Sequence, residues 1–228
     1  SQEEGHFYTT FLMAISAGMG VEEATELAIY SQMPDEVADF DAIHVQKEAV
    51  GRWPAWLAIA GVSKAQQEAE NAKRWRDLIQ KYLHALTGES PEELRKCLKK
   101  LYHDKSFANT TWKKGFLIHA YQDTFAHTDD THIGPPRLYD TGKGHLFHGT
   151  TPDKAEKDIE SQMATNQAIL DNIFTTGKHD VDKKKFIGDR ISVILKEGKD
   201  HGNDWVKKEY RRLAIDVGYS PKGYDPVA

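Results

Sequence analysis

The stretch from Gly115 to Thr128, GFLIHAYQDTFAHT, constrains the fold of this chain more than any other part of it. It carries His119, Asp123 and His127 at four-residue spacing, and side chains so spaced lie along one face of an α-helix. Apolar and aromatic residues cover the other faces, which predicts a helix buried inside the protein. Burying a carboxylate between imidazoles costs free energy, and a divalent metal ion compensates for that cost better than any side chain. The stretch therefore predicts a metal site on a buried helix.

Further residues that could bind a metal follow this helix in a long loop. One buried hydrogen-bonded His–Asp pair would explain two side chains of the helix without any ion. The loop adds His132, His145, His148 and Asp153, however, and so many possible ligands in one region favour a metal site. The segment from Asp129 to Thr151 has no helical or strand period, and loops of such length in compact domains are usually functional.

The remaining sequence predicts an all-α bundle wrapped around the central helix, because hydrophobic periods of helical type recur and no segment has a strand pattern. The length of 228 residues fits a single domain covering 1–228. The chain begins with Ser1, which is compatible with a processed protein or with the C-terminal module of a longer one. Helices are expected over Glu3 to Ser16, Val21 to Met33 with a stop at Pro34, Ser63 to Leu86, Ser90 to Leu101 with Pro91 at the first helical position, and Thr151 to Phe174. Two shorter helices are expected to centre on Phe186 to Leu195 and on Trp205 to Ile215.

Composition narrows the classes of function. The formal net charge of −5 gives no bulk attraction to nucleic acid, so we expect no binding to duplex nucleic acid. Cys97 is the only cysteine, which excludes an internal disulfide and a thiolate metal cage, and we expect it to be a buried packing residue. We expect His84 and His103 to cap helix ends or lie exposed. There is no run of 18 or more apolar residues and no basic-then-apolar leader, so neither a membrane span nor a signal peptide is predicted.

Ligand sets of imidazoles and carboxylates without thiols are typical of catalytic zinc sites rather than structural ones. An aspartate between two histidines of one helix can bridge two ions, with a hydroxide held between them for attack on a phosphorus or carbonyl centre. The residue types alone therefore point to a hydrolase, while the substrate stays open.

Four segments in order resemble one known superfamily: HFYTTF near the start, SQMPDE at Asp35, IHAYQDTFAH in the middle and GHLFHGTTPD after the loop. Together they resemble the zinc-dependent phospholipase C and single-strand nuclease superfamily, and more closely an uncharacterised bacterial branch of it. The motifs span residues 6–153. The resemblance implies an all-α fold with two or three zinc ions.

Residue by residue, the resemblance implies the following ligands. His6, Asp35, His119 and Asp123 would hold a binuclear pair, with Asp123 as the bridge. Further ligands of an additional ion would come from His127, His145 and Asp153. The pattern departs from the superfamily in two places. The known enzymes usually place the last histidine of the central motif slightly later and after a proline, and they have His-x-x-x-Glu where this chain has His145, His148 and Asp153.

The expected function is a metal-dependent phosphodiester hydrolase of the phospholipase C type, in which Asp123 and Asp35 are catalytic as well as ligands. In the loop, Arg137 and Lys143 are candidates for a supplementary cation at the oxyanion site. We expect Glu4 and His148 to carry protons. The substrate would be a phospholipid or another phosphodiester, which is compatible with peripheral membrane contact and with secretion or delivery outside the producing cell.

Two alternatives remain open at the level of sequence. One is a single-strand nuclease of the same superfamily, in which Trp53, Trp56 or Tyr139 would stack bases, although the two tryptophans are more typical of core anchors. The other is a non-catalytic metal-binding or interaction module of a toxin, for which an immunity or carrier protein would be the partner.

Overall fold

The computed structural model describes residues 5–37, 73, 77, 79–129, 135–138 and 159–226, and within these residues the protein is built almost wholly of helices. The expected all-α class is confirmed. None of the helices described is long and apolar enough to cross a membrane. The elements in chain order are α1 (Gly5–Ser16), α2 (Val21–Glu36), a π-helical turn (Ile79–Leu83), α3 (Pro91–His103), α4 (Thr111–Ala126), β1 (Thr128–Asp129), β2 (Arg137–Leu138), α5 (Ile159–Asn172), α6 (Val181–His201) and α7 (Asn203–Asp216).

Two helices, α1 and α4, form the interior. Every residue of α1 from His6 to Ser16 is buried, and α4 is buried from Ile118 to Thr124. The other helices pack around these two, and α2 lies against both. One continuous hydrophobic cluster joins side chains of α1, α2, α4, α5, α6 and α7. The central helix of the sequence analysis is thus α4, and α1 is a second buried helix beside it.

Some helix boundaries differ from those expected. Within the described residues, the helix expected over Ser63 to Leu86 ends as a π-helical turn at Leu83. Helix α2 does not stop at Pro34 but continues to Glu36, and the Val37 N–H still reaches the Met33 carbonyl at 3.0 Å. A proline removes one hydrogen bond, and packing against α1 and α4 offsets that loss. The consequence is functional, because the extension carries Asp35 on a rigid helix. Helix α5 ends at Asn172, before Phe174.

Helix α3 corrects one expectation and confirms another. Cys97 is exposed and not a buried packing residue. Leu98, the next residue along, is buried, as is Pro91 at the start of the helix. At the start of α3, the Ser90 side chain accepts a hydrogen bond from the Glu93 N–H, which is the N-cap half of the expected capping box, and Pro91 is the first helical residue, as expected.

A short antiparallel pair follows α4 within the segment expected to be a loop. Thr128 lies opposite Leu138, and Asp129 lies opposite Arg137. The Leu138 N–H also donates to the Glu89 carbonyl at 2.8 Å. These contacts attach the later part of the loop to the C-terminal end of α4.

The interface between α2 and α4 depends on Gly115. A Cβ built on Gly115 would lie 2.4 Å from Tyr30 Cβ and 3.0 Å from the Ser31 backbone nitrogen. The absence of a side chain therefore allows the two backbones to approach, and this approach brings the Ser31 carbonyl to the next turn of α4, where His119 lies.

We predict that Gly115→Ala lowers the free energy of unfolding by about 1–3 kcal/mol, because the new methyl group must push α2 away. The matched control is Gly188→Ala in α6, where a Cβ meets nothing within 4 Å. There the same change should stabilise the protein by about 0.5–1 kcal/mol through helix propensity. Urea unfolding of both variants measures the two changes in the free energy of unfolding. Equal changes in the two variants would show that the α2–α4 contact is not tight.

Candidate metal centre

Five polar side chains from four separate elements meet in the interior. They come from α1, α2, the end of the π-helical turn and α4. Four of them are 0–1% exposed, and the Asp35 side chain is 10% exposed. The five are His6, Asp35, His84, His119 and Asp123.

Three donor atoms form a nearly equilateral triangle. The distance from His84 Nδ1 to His119 Nε2 is 3.1 Å, from His84 Nδ1 to Asp123 Oδ2 it is 3.1 Å, and from His119 Nε2 to Asp123 Oδ2 it is 3.2 Å. Ligands placed tetrahedrally about 2.0–2.1 Å from zinc are roughly 3.3 Å apart. The triangle is therefore close to one face of a zinc coordination tetrahedron.

Asp35 lies over this triangle. Its Oδ1 is 3.7 Å from both His84 Nδ1 and His119 Nε2. On the other side of the two carboxylates, His6 Nε2 lies 3.1 Å from Asp123 Oδ1 and 3.5 Å from Asp35 Oδ2. Each carboxylate thus presents one oxygen to the His84 and His119 pair and its other oxygen to His6. Such an arrangement offers donors to two positions, with both aspartates shared between them.

Hydrogen bonds on the outer side of two rings orient them. His119 Nδ1 is 2.8 Å from the Ser31 carbonyl, which can only accept. His6 Nδ1 is 2.9 Å from Gln122 Oε1, and the Gln122 amide donates to Thr10 Oγ1 at 2.7 Å. Both rings therefore donate through Nδ1, so in their neutral forms the Nε2 lone pairs point into the cluster. Metal-binding histidines are commonly held in this way.

The surroundings of His6 keep its imidazole neutral, the form that can bind a metal ion. Burial, together with the charge of His119, lowers the pKa of His6 from 6.5 to about 4, despite Asp123 and Asp35. A neutral His6 directs its Nε2 lone pair at Asp123 Oδ1, 3.1 Å away, and no hydrogen bond of acceptable geometry satisfies this buried nitrogen. Two lone pairs facing each other repel, whereas a metal ion between them would be bound by both.

The pKa values of the two aspartates are shifted in the direction that favours ionised carboxylates. Burial acts to raise the pKa of Asp123, but the electrostatic effects of His127 and His119 outweigh it, and its pKa lies well below the usual range. The pKa of Asp35 is also lowered, since positive charges around it, including that of His119, outweigh burial. Burial would lower the pKa of His119, but Asp123 and Asp35 raise it above its usual value. The cluster is therefore a place where positive charge is stabilised.

His84 is a site residue that the sequence analysis wrongly expected to cap a helix end or lie exposed. It is fully buried and belongs to one of the two groups able to hold an ion. Its N–H closes the π-helical turn on the Ile79 carbonyl at 3.1 Å, and Ala85 then takes a left-handed φ of 55°. This irregular backbone turns the ring inward, and π-type turns recur at functional sites. The only signal in the sequence was a histidine between Leu83 and Ala85.

His127 is buried as expected, but it does not join the five. Its Nδ1 lies 2.8 Å from the His84 carbonyl, to which it donates, and 3.8 Å from Asp123 Oδ2. Within the described residues its visible role is to hold His84 in position. Its assignment to an additional ion stays a prediction, because the partners expected for it, His145 and Asp153, lie outside the described residues.

Other expected site residues divide into two groups. Arg137 is exposed on β2, next to the chain that leaves α4. The other candidates lie outside the described residues, and their roles stay predictions: Glu4, His132, Lys143 and His148, together with Trp53, Trp56 and Tyr139.

Comparison of the chain with protein-family models, with curated proteins and with solved structures found no match in any of the three. The conclusions about the centre therefore rest on its own geometry. Two overlapping groups of buried donors, His6–Asp35–His119 and His84–His119–Asp123, could each hold a metal ion. All donors are imidazole nitrogens or carboxylate oxygens, which suit zinc and other divalent first-row metals.

We predict that His84→Ala lowers the affinity for zinc at least about 100-fold, because loss of an outer hydrogen bond to a ligand alone costs about 10–100-fold. His103→Ala is the matched control, because His103 is exposed and, within the described residues, its contacts do not include any of the five. Its ring packs on Tyr102, and its Nε2 lies 2.7 Å from the Asn172 carbonyl. Zinc titration by calorimetry measures both affinities. Equal affinity in the His84 variant and the parent would remove His84 from the site.

Proposed function

We propose that this protein is a zinc-dependent phosphodiester hydrolase, with phospholipid as the preferred substrate. One observation carries the proposal: both carboxylates of the centre present one oxygen to the His84 and His119 pair and the other to His6. Hydrolases that cleave phosphodiesters commonly use two ions held by shared carboxylates. Zinc bound here would lower the pKa of a water molecule and polarise an oxygen of the phosphodiester.

The chain's own residues supply orientation and a low-dielectric surrounding. The Ser31 carbonyl and Gln122 fix two of the imidazole rings, so the ligand atoms need no reorganisation. The apolar residues of α1 exclude water from one side, which strengthens every charge interaction at the centre. Asp35 is the most exposed of the five side chains and marks the side on which a substrate could approach.

Zinc is proposed because the donors are nitrogens and oxygens at tetrahedral spacing. Magnesium prefers octahedral oxygen ligation at 2.0–2.1 Å with several waters, and three imidazoles do not suit it. The resemblance to the phospholipase C and nuclease superfamily supports the same choice. It also supports a phosphodiester as the substrate, with two or three zinc ions in all.

A second candidate is a non-catalytic metal-binding module. It is favoured by the near-complete burial of His6, His84, His119 and Asp123, since structural zinc sites are closed whereas catalytic sites keep one position open. Thiolates are the usual ligands of structural zinc and are absent here, which favours the hydrolase. A nuclease acting on single strands is the alternative within the same chemistry.

We predict that Asp123→Asn lowers hydrolysis of bis(p-nitrophenyl) phosphate and phosphatidylcholine by about 1000-fold or more, because it removes the shared charge. The amount of zinc bound per chain should also decrease in this variant. Asp200→Asn, at an exposed position of α6, is the control and should leave both unchanged. Parallel assays on single-stranded DNA separate the two enzyme candidates.

Two results would contradict the hydrolase. One is activity that survives a strong chelator or the Asp123→Asn change. The other is a protein that binds zinc tightly yet hydrolyses none of these substrates, which is the result expected of the non-catalytic module.

We further predict that Arg137→Ala slows hydrolysis by about 10–1000-fold without changing bound zinc, the loss typical of one charge-stabilising contact. The control is Arg212→Ala, whose guanidinium is exposed and paired with Glu209. Steady-state kinetics and metal analysis test this together. An unchanged rate would show that Arg137 is ordinary solvated surface.

A further inference from the structure

An exposed aromatic and basic surface lies at the opposite end of α4 from its metal-binding residues. We call it the basic tip and define it as residues 99–114, the end of α3, the connection and the first turn of α4. Phe107 and Trp112 are 44% and 46% exposed. Two exposed large aromatic side chains within one short segment form an apolar patch, and exposed apolar patches often mark interaction sites.

The charge of the basic tip is opposite to that of the whole protein. It contains five lysines and one aspartate, in a chain whose formal net charge is −5. The Asp104 carboxylate accepts hydrogen bonds from the Ser106 N–H at 2.9 Å and from the Ser106 hydroxyl at 2.6 Å, so it serves the turn. The lysines are Lys99, Lys100, Lys105, Lys113 and Lys114.

The basic tip has a defined local structure. The Phe107 and Ala108 N–H groups both donate to the Asp104 carbonyl, and the Ala108 side chain is buried. Lys113 Nζ lies 5.8 Å from the Phe107 ring centre and 5.7 Å from the Trp112 ring centre. The Lys113 ammonium thus lies near both rings, one from the connection and one from the first turn of α4.

We propose that the basic tip docks the protein onto an anionic phospholipid surface. Lysines are attracted to acidic headgroups, while tryptophan and phenylalanine partition into the interface between headgroups and acyl chains. The choice of phospholipid rests in part on the proposed function, since it gives a phospholipid-cleaving enzyme its means of reaching the substrate.

The same residue types can bind single-stranded nucleic acid, but the geometry favours a membrane. Base stacking needs an open ring face, usually along a groove. At the basic tip, the Lys113 ammonium lies near the rings of Phe107 and Trp112, and Phe116 packs against Trp112 at 77°. Phe107 lies in the connection between α3 and α4 and Trp112 lies in the first turn of α4. Two aromatics at such a helix end suit insertion into a flat interface better than a bound strand.

The test is vesicle sedimentation of the full chain carrying Asp123→Asn in the presence of chelator, so that binding is measured without hydrolysis. We expect binding to phosphatidylcholine vesicles that contain phosphatidylserine, weaker binding to pure phosphatidylcholine, and loss at high salt. Phe107→Ala with Trp112→Ala should weaken binding about 10–100-fold. Lys100→Glu with Lys105→Glu should weaken it about 10-fold or more.

Matched controls come from exposed positions on other helices. Phe186 is 45% exposed and has the Arg190 guanidinium 5.6 Å from its ring centre, so Phe186→Ala repeats the aromatic change elsewhere. Lys208→Glu repeats the charge change on α7. Both control proteins should bind vesicles as the parent does.

Brominated acyl chains give a second readout. They should quench the tryptophan fluorescence of the vesicle-bound parent. Quenching should be weaker in Trp112→Phe, a variant that keeps an aromatic ring and continues to bind vesicles. Equal vesicle binding by the tip variants and the parent would overturn the proposal. So would tighter binding of oligothymidylate that depends on Phe107 and Trp112, which would assign the surface to nucleic acid. Neither result depends on whether the protein is a hydrolase.

Discussion

An ionised carboxylate in the interior, that of Asp123, is the constraint on which the arrangement of the core depends. A buried charge is tolerated only when other groups compensate for it. Three histidine nitrogens lie within 3.2 Å of its two oxygens, and they come from α1, from the end of the π-helical turn and from α4 itself. This charge therefore constrains the packing of these elements together with the apolar contacts around it.

A cation would add to the compensation that the imidazoles give. His6 turns an unprotonated nitrogen toward Asp123, because Gln122 holds its other nitrogen as a donor. The Ser31 carbonyl orients His119 in the same sense, and Gly115 is what lets α2 approach closely enough for this contact. A set of lone pairs converging in this way is the arrangement that a metal ion stabilises, and it underlies the proposed hydrolysis.

Helix α4 links two surfaces of different chemistry. Its first turn carries Trp112 and belongs to the exposed basic tip, whereas His119 and Asp123 follow seven and eleven residues later in the buried centre. At 1.5 Å per residue, these positions are roughly 10–16 Å apart along the helix axis. The proposed membrane contact and the proposed chemistry thus rest on different residues and can be changed separately by substitution.

The sequence by itself determined the all-α class, the buried central helix and the His119 and Asp123 stripe, because helical periodicity is a local property that residue spacing records. Adding His6 and Asp35 needed a resemblance between motifs, and the structure then placed both beside Asp123. Only the tertiary structure decided that His84 belongs to the centre. Its position depends on a π-helical turn, on a left-handed Ala85 and on the contact with His127, and such irregular backbone is stabilised by distant packing that no local pattern encodes.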